Sequence, residues 1–250
     1  VSISLAQIPV GVTAVLPLRA SMAGVSGAFL VLADDDERYW CKPLNNFDHP
    51  RVPVTEQIVA RLGALIGAPV CEGRLVRLDE IVGWELRPGS GRPVDAGWAH
   101  GSRAIDPVLE TRTLAHRTDD DNRRRQAGLY ALCDWLLGSD VQWLYALDED
   151  NAYYSHDHGY YLGGPGWNIE SLRARANEPA PLSIPSVGLD PDELNRLAGA
   201  LEGMTRAMIE EALSGLPADW PVGVDELETL AVVLDGRRAP VAARLRTMVT

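Results

Sequence analysis

Lysine is nearly missing from this sequence. Of its 23 basic residues one is a lysine, Lys42, and all the others are arginines. In so arginine-heavy and alanine-rich a chain, a single surviving lysine draws attention to its position. Cysteine is also scarce. Cys41, Cys71 and Cys133 are odd in number and lack metal-type spacing, which predicts buried thiols in a reducing compartment rather than disulfides. No window holds the roughly 20 apolar residues of a spanning helix. The first residues lack a basic region, and Pro9 and Pro17 interrupt their apolar stretch, so neither a signal peptide nor a membrane partner is expected. The expectation is a soluble cytoplasmic protein. Positive charge is outweighed throughout: the net charge is −12 and the pI about 4.8. Such a surface repels polyanions and argues against nucleic acid as a partner.

The 250 residues, 46% hydrophobic, suffice for one domain with two lobes or for two small domains. No internal repeat is visible. Residues 1–18 mix β-branched residues with prolines, as an edge strand or strap does. Gly24-Val25-Ser26-Gly27 reads as a turn, residues 28–33 as a short apolar strand, 34–37 as an acidic hairpin tip and 38–43 as the returning strand. A loop spans 45–53. An amphipathic helix is predicted over 54–67, with Ile58, Leu62, Leu65 and Ile66 at helical spacing and Gly67 as its stop. Residues 69–82 read as strands. Glycine and proline crowd 87–101, the candidate hinge. Beyond it the chain turns helical, over 124–137, 190–215 and 224–248. The expected class is α+β: a β-rich N-lobe (1–86), a hinge (87–101) and a helical C-lobe (102–250).

Phosphoryl transfer needs backbone donors for phosphates, a cation, and carboxylates for a metal and for the attacking hydroxyl. Gly24, Ser26 and Gly27 offer a backbone that a phosphate can approach closely, although an ordinary hairpin turn has the same composition. Lys42 follows on the next strand. Glu56 stands fourteen residues later at the start of the predicted helix, as an ion-pair partner for Lys42 or simply as a carboxylate suited to a helix N-terminus. Asp140, just after Gly138-Ser139, is the candidate base. Asp134 on the helix and Asp148 in a hairpin tip compete with it, and solvated roles are expected for both. Asp157 opens Asp157-His158-Gly159 after a tyrosine-rich strand and offers a hard oxygen ligand suited to Mg²⁺. Trp84-Glu85-Leu86 before the hinge either frames a base, with Glu85 among the nucleotide contacts, or ends a core strand.

Four blocks together, Gly24-Val25-Ser26-Gly27, Tyr39-Trp40-Cys41-Lys42, the stretch from Glu56 to Pro69, and Asp157-His158-Gly159, resemble the HipA-like kinase family. The resemblance covers about residues 15–168. It implies a protein-kinase-like fold and the use of ATP and Mg²⁺, with transfer of the γ-phosphate to a hydroxyl, expected to be a protein serine or threonine. Lys42 would then bind phosphates, Glu56 would pair with it, Asp140 would be the catalytic-loop aspartate and Asp157 would hold the metal. The family carries an asparagine about five residues after the aspartate as a second metal ligand. Tyr145 stands there instead, Gln142 is the available amide, and Val141 replaces the usual basic residue. These departures keep open a second reading, a pseudokinase that binds nucleotide or a partner without turnover. A zinc site at His156 and His158 lacks ligands, and a serine hydrolase at Ser26 lacks the G-x-S-x-G elbow.

Overall fold

The computed structural model describes residues 2–22, 24–111 and 113–249. Its first half is a closed five-stranded barrel. In chain order its strands are β1 (Val12–Ala20), β2 (Phe29–Ala33), β3 (Arg38–Lys42), β4 (Gly73–Arg77) and β5 (Trp98–Arg103), arranged β1-β2-β3-β5-β4. A short parallel pairing of Val12 and Thr13 with Val76 and Arg77 closes it. Strand alternation decides which side chains fill it. Phe29, Val31, Tyr39, Cys41, Val76 and Ala99 form an interior core. Trp40 and Lys42, one step out of phase with Tyr39 and Cys41, therefore face outward.

Helix α1 (Val52–Ile66) lies between the barrel and the second half, and nearly every side chain from Val52 to Ala60 is buried. Pro53 suits its first turn, and Gly67, at φ 68°, ends it in the left-handed conformation. The helix begins two residues before the predicted start, so Glu56 sits in its second turn. No acidic residue occupies the first turn, which removes the helix-terminus explanation for this glutamate.

The second half holds a three-stranded antiparallel sheet, β6 (Val108–Glu110), β7 (Gln142–Ala146) and β8 (Ala152–His156). Five helices accompany it: α2 (Asn122–Trp135), α3 (Ile169–Arg175), α4 (Pro191–Gly203), α5 (Arg206–Leu213) and α6 (Val224–Thr247). Their apolar faces and that of α1 share one core. Asp134, expected to be solvated, is buried. It accepts from Arg244 Nε at 2.6 Å and from the Ala180 N–H at 2.9 Å. No described helix is long and apolar enough to cross a membrane.

Among the contacts that fasten the halves together are two at the ends of α1 and β8. Ser155 N–H on β8 donates to Pro69 O at 2.7 Å, and Cys71 N–H donates back to Ser155 O at 3.3 Å. Arg51, just before α1, binds Glu226 of α6 at 2.8 Å and the Trp167 carbonyl at 2.6 Å. The hinge boundary needs correction. Residues 98–101 are not a linker but part of β5, paired with both β3 and β4. The crossing to the helical half therefore falls after Arg103.

Candidate functional site

A cleft of about 550 Å³ opens between the outer face of the barrel, α1 and the β7–β8 ends. Strand alternation on β3 delivers Lys42 to it, and α1 brings Glu56 from the side. The end of β8 supplies Asp157, whose φ of 55° turns the chain sharply after His156. Lys42 is ion-paired with both Glu56 and Asp157. Glu56 is 1% exposed and Lys42 8%.

Burial alone pushes the Lys42 ammonium down. The Asp157 and Glu56 carboxylates outweigh it and hold the group above its usual range. Burial alone would raise Glu56, but the Lys42 charge leads the effects that pull it down to about 2. The pair is thus ionised at neutral pH. The second Glu56 oxygen accepts the His158 backbone N–H at 3.0 Å. One carboxylate holds both the lysine and the turn that carries Asp157.

Two buried histidines complete this layer, both neutral at pH 7. His100 faces Lys42 across the β3–β5 pairing. Its Nδ1 lies 2.9 Å from the Gln57 amide nitrogen, which donates to it, and its Nε2 lies 3.1 Å from Ser102 Oγ. Burial pushes its pKa down to about 4. His158, at about 4 for the same reason, shares a 2.9 Å hydrogen bond with Ser155 Oγ and packs edge-on to Tyr161. Neither histidine offers itself to a metal.

Asp140 and Gln142 line the cleft from the floor, where Gln142 Nε2 donates to Asp140 Oδ2 at 2.9 Å. Asp140 is another non-glycine residue at positive φ, 35°. Such backbone costs about 1–3 kcal/mol, persists only where surrounding structure enforces it, and clusters at functional sites. Tyr145 is turned away into the core. Its hydroxyl accepts the Ala115 N–H and donates to Ala115 O, both at 2.9 Å. Gln142 is therefore the amide that this floor presents.

Gly24 and Ser26 also line the cleft, from the β1–β2 turn. That turn is closed by Ser21 N–H to Ala28 O at 2.7 Å and held from outside by Arg87 on the Gly24 carbonyl at 2.9 Å. Gly27 does not line it. At φ 73° it leaves room for the Phe47 ring, which a Cβ would meet at 2.3 Å, so its role is packing.

Glu85 is the clearest departure from expectation. Its carboxylate accepts from the Gly89 N–H at 2.9 Å and from the Gly91 N–H, shaping its own exposed loop away from the cleft. Those bonds, Gly89 first, lower its pKa. Trp84 packs on Phe29 with ring centroids 5.3 Å apart, and Leu86 is fully buried in the barrel. The triplet does not end a core strand either: it lies between β4 and β5, with Glu85 joined to Pro93 by an isolated bridge. Sequence reasoning also passed over Trp40, which lines the cleft on the same face of β3 as Lys42. Its two-residue offset from the lysine was the available signal.

Among the described residues no three His, Cys, Asp or Glu side chains form a metal cage. The oxygens that do face the cleft, from Asp157, Asp140 and Gln142, suit a Mg²⁺ ion of the kind held by one or two carboxylates and completed by phosphate and water.

No known protein-family model matches the chain, and no curated protein matches it either. Solved structures do. The crystal structure of a proinflammatory kinase from Helicobacter pylori, CtkA, matches with a TM-score of 0.59. The match covers 92% of this chain and 93% of that chain, at 11% identity. At that identity the likeness is one of fold.

Proposed function

We propose that the protein is an ATP-dependent, Mg²⁺-requiring kinase of the HipA-like type that transfers a γ-phosphate to a hydroxyl, with protein serine or threonine the leading acceptor class. The observation that carries this reading is the ion-paired trio of Lys42, Glu56 and Asp157, drawn from a strand, a helix and a turn into one cleft. The fold likeness to a solved kinase supports it. A lysine fixed by a buried glutamate presents its charge in one place, which suits α- and β-phosphate oxygens. Binding nucleotide requires Lys42 to share its ammonium between Glu56 and phosphate, which frees Asp157 to face a metal.

When bound, Mg²⁺ would offset the negative charge of the phosphates; Asp157 and Gln142 are the residues that would hold it. Gly24 and Ser26 contribute a turn whose backbone a phosphate can approach. Asp140 is proposed to accept the proton of the incoming hydroxyl, and Gln142 to hold its carboxylate in place until then. A second reading, nucleotide binding without turnover, is favoured by one observation: the usual asparagine position is occupied by the core residue Tyr145. Calorimetric titration with Mg·ATP tests the shared part of both readings. Binding is expected for the parent and a loss of at least tenfold for Lys42→Met. Equal affinity in the two would remove Lys42 from the phosphate site and the proposal with it.

A further inference from the structure

A second cavity, of about 640 Å³, opens at the other end of α1 from the cleft. Val52 and Glu56 line the cleft from the first half of that helix, whereas Ala60, Arg61 and Ala64 line the second cavity from its later turns. The other half of the chain contributes Arg124 and Arg125 of α2, Tyr154 of β8 and Arg196 of α4. Four guanidinium groups therefore line one hollow of a chain whose net charge is −12. Pro69 and Val70 add apolar surface.

Three of these arginines have carboxylate partners. Arg196 donates to Glu193 at 2.8 Å, and its two terminal nitrogens bind the Ile66 carbonyl at the end of α1, each at 3.1 Å. Arg124 donates to Glu193 at 3.1 Å. Arg125 donates to Asp120 at 2.7 Å and lies over the Tyr154 ring. Glu72, which also lines the cavity, pairs with Arg74 and Arg103. Arg61 is different. Its Nη1 donates to the Ser214 and Ala212 carbonyls at 2.7 and 3.2 Å, and its Nε to the Gln57 amide oxygen at 3.1 Å. These bonds fix the guanidinium. Among the described residues no carboxylate pairs with it and nothing accepts from its Nη2. Burial pulls its pKa down, with no carboxylate to offset the effect. A partly buried charge normally has a counter-charge beside it; this one meets a cavity instead.

We infer that this cavity binds a small organic phosphate, whose phosphoryl oxygens supply the counter-charge for Arg61 and whose carbon body covers Pro69 and Val70. The inference is independent of the nucleotide reading: the cavity and the cleft share α1 but no lining residue. The planar fork of a guanidinium matches phosphate oxygens, and such charge-assisted bonds are strong. A phosphate ester carries nearly two charges at neutral pH and three acceptor oxygens. That suffices for Arg61 and a second of the lining guanidiniums. The volume is that of a small-molecule site.

The test is calorimetric titration of phenyl phosphate and of inorganic phosphate into the parent, Arg61→Gln, Ala64→Glu and Lys42→Met, with circular dichroism to confirm folding. Ala64 is exposed on α1, so the helix accepts glutamate there, and the new carboxylate stands where the anion would. Phenyl phosphate is expected to bind the parent and Lys42→Met alike, and at least about tenfold more weakly to Arg61→Gln and Ala64→Glu. Inorganic phosphate, which has no body to cover the apolar lining, should bind the parent more weakly than phenyl phosphate. If Arg61→Gln does not fold, Ala64→Glu decides. Parent-like affinity in Ala64→Glu, or in folded Arg61→Gln, overturns the inference. So does a parent that binds neither probe, or one that binds both equally. Loss of binding in Lys42→Met also overturns it, by placing the anion in the cleft, and leaves the nucleotide reading standing.

Discussion

Glu56 accepts the backbone N–H of His158 at 3.0 Å with the carboxylate oxygen that Lys42 does not use. The helix glutamate is thereby a fastener for the Asp157 turn as well as a partner for the lysine. A change at Glu56 should disturb the barrel side and the sheet side of the cleft at once.

Glu56→Ala is expected to destabilise the fold by about 3–5 kcal/mol, the usual result of removing one partner from a buried ion pair. Glu56→Gln keeps an acceptor for His158 and should cost less. Both should weaken Mg·ATP binding. Chemical denaturation read alongside titration checks this. A Glu56→Ala protein as stable as the parent would show that the buried pair is not formed.

Asp157→Asn should abolish the extra thermal stabilisation that Mg²⁺ adds to ATP while leaving the fold in place. Asparagine tolerates the left-handed backbone that Asp157 adopts at φ 55°, so the substitution removes charge without adding strain. Alanine at this position would confound the two. Melting curves with ATP, with and without Mg²⁺, should converge for the variant and differ for the parent.

Acid should begin to destabilise the protein as pH falls below 6.5. His100 is held neutral in the fold, with a pKa of about 4 against 6.5 when free. Its surroundings are Glu56, Lys42, His158 and Arg61. A depressed histidine contributes stability that is full above pH 6.5 and lost as pH falls toward 4. The loss is of the order of 3 kcal/mol. Glu56, depressed to about 2 from 4.5, adds a further loss below 4.5. The raised Lys42 contributes fully below its free value of 10.5 and plays no part in this window. Replacing His100 with Asn, which keeps an acceptor for Gln57, should flatten the slope of stability between pH 6.5 and 4 by up to about 1.4 kcal/mol per pH unit. An unchanged slope would mean that His100 is protonated in the fold.

Much of this was legible in the sequence. The β2–β3 hairpin, α1 and the long helices follow from period-2 and period-3.6 patterns, and the lone lysine marked the position at which the cleft's ion pairs form. Less accessible was anything set by long-range pairing. β5 hides in a segment whose glycines and histidine read as linker, and only its pairing with β3 and β4 makes it a strand. Gly27 and Glu85 do not line the cleft, for a related reason. A turn glycine can serve a ligand or a ring such as Phe47, and a loop glutamate can face a site or cap its own turn. Local composition is the same in each case. Asp134 was expected in solvent because its partner Arg244 lies 110 residues away.

Glu85→Ala should leave the affinity for Mg·ATP within about twofold of the parent, since the lost interactions belong to an exposed loop and surface changes of this kind have small effects. A tenfold loss would return the base-framing role to the 84–86 segment.

The central claim is phosphoryl transfer, and γ-labelled ATP tests it most directly. The purified protein would be incubated with Mg²⁺ and label, and transfer followed to itself, to water and to proteins of a cell extract, for the parent and for Asp140→Asn. Asparagine again keeps the positive-φ backbone while removing the base. The expected result is transfer by the parent, and a rate lower by about 10²- to 10⁴-fold in a variant that binds Mg·ATP equally well. A parent that binds Mg·ATP yet transfers label to none of these, or an Asp140→Asn protein as fast as the parent, would contradict it.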